Sequence, residues 1–160
     1  MTANVGDKIP SVKLKTMTAD GMSEVDTADY FAGKKVVMFA VPGAFTPTCS
    51  AKHLPGFVEK AADLKAKGVD EIACISVNDA FVMDAWAKSQ NAGSSVTLLA
   101  DGNGEFTSAM GLEMDGSGFG LGTRSQRYAL VAENGTITTL NIEQPGAFDV
   151  SSAEAVMAAL

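Results

Sequence analysis

The stretch Val36-Val-Met-Phe-Ala-Val41-Pro42-Gly-Ala-Phe-Thr46-Pro-Thr-Cys49-Ser50 decides how this chain folds. Its first six residues are all apolar, bounded by Gly33-Lys-Lys35 before and Pro42-Gly43 after. A short apolar run between turn formers reads as a strand buried on both faces. Pro42, Gly43 and Pro47 then exclude regular structure until about Thr48. From Cys49 to Lys67 the apolar residues Leu54, Phe57, Val58, Ala61 and Leu64 recur at three- and four-residue spacing, which predicts an amphipathic helix. Gly68 caps its end, and Pro55 predicts a kink inside it. Cys49 therefore stands at a strand-to-helix junction, near the first turn of a helix. Unpaired backbone N–H groups and partial positive charge there favour a thiolate over a thiol. No second cysteine lies two or three residues away, so this sulfur suits attack rather than a local disulfide.

Working outward, Val12 to Thr16 alternates weakly ahead of Asp20-Gly21, an opening hairpin. Asp26 to Phe31 reads as a helical turn. Ile72 to Val77 and Val96 to Ala100 are two more buried strands, separated by a helix that Asn78-Asp79 caps and that runs through Trp86 and Lys88. Phe81, Met83 and Trp86 fall at helical spacing and read as packing. Phe106 to Met110 is a short helix. Four glycines at 116, 118, 120 and 122 surround Phe119, and with no Gly-Lys-Ser/Thr after them they make no phosphate loop. Tyr128 to Ala132 and Thr136 to Ile142 flank Asn134-Gly135, a hairpin signal. Ser151-x-x-Glu154 reads as a capping box before a last helix ending at Leu160. The order predicts an α/β fold with a mixed central sheet, an N-terminal hairpin extension and flanking helices. With no repeat, low-complexity tract or linker, residues 1–160 read as a single domain.

The chain has 160 residues, 46% of them hydrophobic, enough for one substantial core. Its net charge of −7 argues against nucleic acid or anionic membrane as partner. No apolar run approaches the roughly 20 residues needed to cross a bilayer. Two cysteines, Cys49 and Cys74, make no disulfide framework, so a reducing, cytoplasmic setting is expected. One His and two Cys make no sound zinc site, so no metal is expected.

A working thiolate needs donors to steady it and to stabilise a departing group. Thr46, three residues earlier, offers a hydroxyl that can donate to the sulfur or to a bound oxygen. Pro42 can shield one side. Arg124 and Arg127 are the only arginines, and both stand at the start of a predicted strand. His53 shares a helix face with Cys49; it is either a thiolate partner or a side chain that lines the pocket or bonds the backbone. Phe119 forms either a collar or an interface. Cys74, mid-strand between Ala73 and Ile75, reads as a small core hydrophobe.

The pattern Pro42-x-x-x-Thr46-x-x-Cys49 resembles the peroxiredoxin active-site motif. The longer run through His53-Leu-Pro-Gly-Phe57 is similar to the type II, peroxiredoxin-five-like subfamily. So are Cys74-Ile-Ser-Val-Asn-Asp79, Leu98-Leu-Ala-Asp101, Arg124-Ser-Gln-Arg-Tyr128 and Asn141-Ile-Glu143. The likeness covers nearly the whole chain. It implies a thioredoxin-like fold and thiol-dependent reduction of hydrogen peroxide and alkyl hydroperoxides. By motif position Cys49 is the peroxidatic nucleophile, Thr46 bonds the peroxide and the thiolate, and Pro42 packs over the site. Gly43 belongs to the same substrate-binding loop. Arg127, just before Tyr128, aligns with the family's catalytic arginine in preference to Arg124. The resemblance also implies a homodimer joined beside the active-site loop and the Phe119 segment. Some relatives carry a resolving cysteine near the C-terminus, but the stretch after Asn141 here has none. That implies a one-cysteine cycle with no bound cofactor, regenerated by an external thiol: glutathione with glutaredoxin, or thioredoxin. The alternative is a redox sensor or holdase of the same fold. A thiol–disulfide oxidoreductase would need Cys-x-x-Cys, which is absent.

Overall fold

The structure, a computed structural model, describes residues 2–160; residue 1 of the expected 1–160 domain lies outside them. Seven strands form the central sheet. In chain order they are β1 (Lys13–Thr18), β2 (Gly21–Asp26), β3 (Lys35–Ala40), β4 (Glu71–Ser76), β5 (Thr97–Ala100), β8 (Tyr128–Glu133) and β9 (Thr136–Ile142). A second, two-stranded sheet pairs β6 (Glu113–Asp115) with β7 (Thr123–Ser125). The central order is β2-β1-β5-β4-β3-β8-β9, with β3, β4 and β5 parallel and both flanks antiparallel. This is the mixed α/β sheet expected of a thioredoxin-like fold. The helices are α1 (Thr27–Phe31), α2 (Leu54–Ala66), α3 (Ala80–Ser89), α4 (Glu105–Met110) and α5 (Ala153–Ala159).

Strand side chains alternate between the two faces of a sheet. One face carries Val37, Phe39, Ile72, Cys74, Leu98, Ala129 and Val131, covered by Phe57 and Leu64 of α2, Met83 and Trp86 of α3, and Val156 of α5. The other carries Val36, Met38, Ala73, Ile75, Leu99, Tyr128 and Leu130, covered by Phe31 of α1 and by Phe106 and Met110 of α4. The central apolar runs are continuous because both faces are buried. Register sets Phe39 beside Cys74 and Ala129, and Phe39 stacks on Phe57 with ring centroids 4.1 Å apart.

Four local expectations need correction. The helix from Cys49 is not one kinked α-helix. Cys49–His53 form a π-helical turn, and α2 begins only at Leu54. Pro55 lies in the first turn of α2, directly after the π turn. The wider turn ahead of it absorbs what would have been a kink. The cap of α5 is Ser152, whose hydroxyl accepts from Ala155 N; Ser151 is occupied elsewhere. The α3 cap is Asp79 alone, because Asn78 turns back toward the loop after β3. Phe81 does not pack: it is 63% exposed, while Met83 and Trp86 are buried as expected. The β6–β7 pair around the glycine-rich segment was unforeseen, since strands of three residues carry too little periodicity to read.

Candidate active site

The site is built where β3 ends. Residues 41–46 form the loop, tied down by its neighbours, and helical backbone begins at Pro47. Asn78, just past β4, accepts from Ala44 N at 3.0 Å through the same side-chain oxygen that takes the Ser76 hydroxyl. Phe45 sits in the left-handed region at φ 65°, a conformation that a non-glycine residue holds only when its surroundings impose it. Trp86 Nε1 donates to Ser50 Oγ at 3.0 Å, anchoring the residue after Cys49.

Cys49 opens the π turn, and its side chain is wholly buried among Phe39, Leu54, Phe57 and their neighbours. Arg127 reaches it from the segment between β7 and β8. Its Nη2 donates to Cys49 Sγ at 3.1 Å, and its Nη1 donates to His53 Nδ1 at 2.8 Å. Of the two arginines, only Arg127 bonds the sulfur. A guanidinium only donates, so His53 Nδ1 is the acceptor and the ring proton sits on Nε2. That nitrogen donates to Ser151 O at 2.9 Å. Burial, then the charge of Arg127, drives the imidazole down to a pKa of about 3, so it stays neutral. His53 is therefore no direct thiolate partner; it is the acceptor that aims Arg127. Phe148 packs edge-on to His53 and lies 5.9 Å from the guanidinium carbon.

Ser151 is held in turn by Glu143. One carboxylate oxygen accepts from Asp149 N (2.6 Å), Ser151 N (2.9 Å) and Ser151 Oγ (2.7 Å). Burial pushes the Glu143 carboxyl up, but those hydrogen bonds outweigh it and leave the group below its usual range. Glu143 N also donates to Arg127 O at 3.0 Å. The chain of contacts is thus Glu143, Ser151, His53, Arg127, Cys49. Reading the residues gave Glu143, Ser151 and Asn78 no part in the site. Asn78 and Glu143 stand as polar residues just past β4 and β9, whereas Ser151, beside the α5 cap, carries no such signal.

A cavity of about 530 Å³ opens beside this chain of contacts. Pro42 and Thr46 line it from the Cys49 loop, Arg127 from below, and Met114, Phe119 and Leu121 from the β6–β7 segment. Cys49 itself lies beneath that lining. Thr46 does not donate to the sulfur as expected. Its hydroxyl donates to Gly43 O at 2.6 Å, which leaves its oxygen lone pairs as acceptors beside the cavity. Arg124 bonds two backbone carbonyls, those of Leu121 and Pro42, and not the sulfur. Phe119 is 88% exposed at the rim. Cys74 is buried on β4, and burial followed by the proximity of Cys49 holds its thiol well above the usual range. Among the described residues no group of three His, Cys, Asp or Glu could hold a metal, and no helix is long and apolar enough to cross a membrane.

Comparison with known proteins gives this geometry a lineage. The Redoxin family model matches residues 4–157. "Peroxiredoxin-2E-2, chloroplastic" from Oryza sativa subsp. japonica is 58% identical across 99% of this chain and 73% of its own length. Reduced Prx3 of Vibrio vulnificus, solved in complex with H2O2, superposes with a TM-score of 0.95 at 56% identity, covering 99% of each chain. A Burkholderia cenocepacia protein described as a putative thioredoxin reductase superposes with a TM-score of 0.99 at 47% identity, covering 100% of this chain and 99% of its own. The fold, the sulfur with its arginine and these likenesses agree: the chain belongs to the Redoxin family, as a peroxiredoxin with thiol-dependent peroxidase activity.

Proposed function

We propose that Cys49 is the peroxidatic sulfur and that Arg127, Thr46 and Pro42 form its catalytic surroundings. The observation that carries this reading is the 3.1 Å contact from Arg127 Nη2 to Cys49 Sγ. A fixed guanidinium stabilises an anionic sulfur, and its planar fork holds two partners at once. The hydroperoxide enters the cavity between Pro42 and Thr46. The sulfur attacks the terminal oxygen, a sulfur–oxygen bond forms, and the oxygen–oxygen bond breaks. The attacked oxygen keeps its hydrogen and becomes the sulfenic acid. The other oxygen leaves with the electron pair and takes a proton from water, giving water or an alcohol. Thr46 Oγ1 accepts from the peroxide O–H, while Arg127 steadies the charge that builds on the departing oxygen. Such donors each contribute about 3–4 kcal/mol to lowering a barrier. Gly43, through its carbonyl, fixes the Thr46 hydroxyl.

The Vibrio vulnificus relative was solved with hydrogen peroxide; we carry that substrate over and extend it to alkyl hydroperoxides, because Met114, Phe119 and Leu121 give the cavity an apolar wall. The reaction needs no resident cofactor, since the sulfur supplies the electrons. The sulfenic acid returns to thiol through an external reductant, glutathione with glutaredoxin or else thioredoxin. We further assign a homodimer whose second copy packs beside Phe45, 55% exposed in the active-site loop, and against the outer side of Phe119, 88% exposed at the cavity rim. Cysteine content supports a reducing compartment, the cytoplasm. A coupled NADPH assay with glutaredoxin and thioredoxin systems tests the cycle: turnover with glutathione and glutaredoxin supports it, and a single oxidation with no turnover in either system refutes it. Light scattering at a dimer mass supports the assembly, and a monomer mass refutes it.

A further inference from the structure

Arg124 has a different task from Arg127. Its Nε donates to Leu121 O at 3.0 Å, and its Nη1 donates to Pro42 O at 3.2 Å. Pro42 and Leu121 both line the cavity, one from the loop that bears Cys49 and the other from the glycine-rich segment. That segment is otherwise bonded to itself. Gly116 N donates to Gly122 O at 2.7 Å, Leu121 N to Gly116 O at 3.0 Å, and Gly120 N to Ser117 O at 3.1 Å. Its internal fit is tight, because a Cβ at Gly116 would meet Leu121 Cβ at 2.9 Å. The segment is thus a stiff wall joined to the active-site loop by one side chain.

Gly43 gives an independent view of the same contact. A Cβ built there would stand 2.7 Å from Arg124 Nη1 and 3.2 Å from Thr46 Cγ2. Absence of a side chain at position 43 is what lets the guanidinium reach the Pro42 carbonyl. A guanidinium presents its donors in a rigid plane, so the two carbonyls it bridges are held at one separation. A lysine offers one nitrogen on a flexible stem and cannot impose that spacing.

We propose that Arg124 is a positioning residue that sets the width of the hydroperoxide cavity, and thereby the enzyme's preference for bulky organic hydroperoxides over hydrogen peroxide. This rests on the reading that the cavity beside Cys49 receives the hydroperoxide. Hydrogen peroxide has no substituent to seat, so it depends little on where Leu121 and Phe119 stand. A bulky organic hydroperoxide must rest its apolar group between Phe119, Leu121 and Pro42 while its terminal oxygen meets the sulfur. Remote contacts of that kind raise the rate by orienting the reacting atoms, and the gain is lost when the wall drifts.

The test is stopped-flow oxidation of the full chain by hydrogen peroxide and by cumene hydroperoxide. The proteins compared are wild type, Arg124→Gln, Arg124→Lys, Gly43→Ala and the Arg124→Gln/Gly43→Ala pair. The cumene hydroperoxide rate should fall about tenfold in Arg124→Gln, while the hydrogen peroxide rate falls no more than about threefold. Gly43→Ala, whose methyl also presses on Thr46 Cγ2, should slow both peroxides but cumene hydroperoxide more, because the methyl displaces Nη1 as well. In the pair the ratio of the two rates should shift no further than in the single variants, since both changes break the same Arg124 contact. Arg124→Lys should resemble Arg124→Gln, and amide exchange at Gly116 and Leu121 should quicken in all four. Rates for the two peroxides that fall in parallel, or that do not fall, would overturn the proposal. So would a shift of the ratio in the pair that multiplies the two single shifts. If Arg124→Gln does not fold, Arg124→Lys and Gly43→Ala decide the matter by the same ratio. A wild type that reacts with neither peroxide would instead overturn the reading of the cavity, a result separable from any change of ratio.

Discussion

Arg127 spans His53 and Cys49, with one guanidinium nitrogen 2.8 Å from the ring nitrogen and the other 3.1 Å from the sulfur. The cation's orientation is therefore set by a histidine that never touches the sulfur. The histidine in turn is set by the Ser151 carbonyl, which lies in a loop that Glu143 holds.

The neutrality of His53 has a stability signature. An unfolded histidine titrates near 6.5, whereas His53 in the folded chain titrates at about 3. Above pH 6.5 both states are neutral and nothing is lost. Below it the unfolded chain takes up a proton that the folded chain refuses, so stability falls as pH drops, by about 1.4 kcal/mol per pH unit. Glu143, with its lowered carboxyl value, contributes stability that is lost only at lower pH. Urea unfolding between pH 6.5 and 5 should thus show a slope in wild type that His53→Gln largely removes. Equal slopes in the two proteins would contradict the buried neutral imidazole.

Glu143 should matter to both stability and rate. Glu143→Ala strips the acceptor from two backbone N–H groups and the Ser151 hydroxyl, which should lower unfolding free energy by about 2–3 kcal/mol. The loop that carries the Ser151 carbonyl would loosen, His53 would lose its fixed partner, and peroxide oxidation should slow. Glu143→Gln, which keeps an acceptor and loses the charge, should lie between. Denaturation and stopped-flow on the same preparations check this.

Cys74 should prove dispensable for turnover. It is buried on the same sheet face as Cys49 and its thiol is held protonated, which makes it a poor partner for exchange. Cys74→Ala should turn over peroxide as wild type does and lose about 1–2 kcal/mol of stability from the lost packing. Mass spectrometry after one equivalent of peroxide should find sulfenate, or a glutathione adduct, on Cys49. A stoichiometric Cys49–Cys74 disulfide would contradict the one-cysteine cycle.

Much of this was legible in the residues. Val36 to Val41, Ile72 to Val77 and Val96 to Ala100 read as buried strands because burial on both faces leaves an unbroken apolar run. Asn134-Gly135 marked the β8–β9 hairpin because the turn demands positive φ, which both residues adopt. Cys49, Thr46 and Pro42 lie in one short loop, so spacing alone brings them together. What did not show is what depends on tertiary approach. The π turn at Cys49–His53, which precedes Pro55 and sets His53 against Phe39, follows no periodicity. The link from His53 to Ser151 joins residues 98 apart in the chain, and no local pattern announces it. The choice between Arg124 and Arg127 came from motif position; only the fold shows that one bonds carbonyls and the other bonds sulfur.

The most direct test is the second-order rate of Cys49 oxidation by hydrogen peroxide, followed by stopped-flow and assigned by mass spectrometry, in wild type, Cys49→Ser and Arg127→Lys. Cys49→Ser should not react. Arg127→Lys keeps the charge but cannot hold His53 and the sulfur together, so its rate should fall about 10²-fold. An Arg127→Lys enzyme at full speed, or oxidation that settles on a residue other than Cys49, would contradict the central claim.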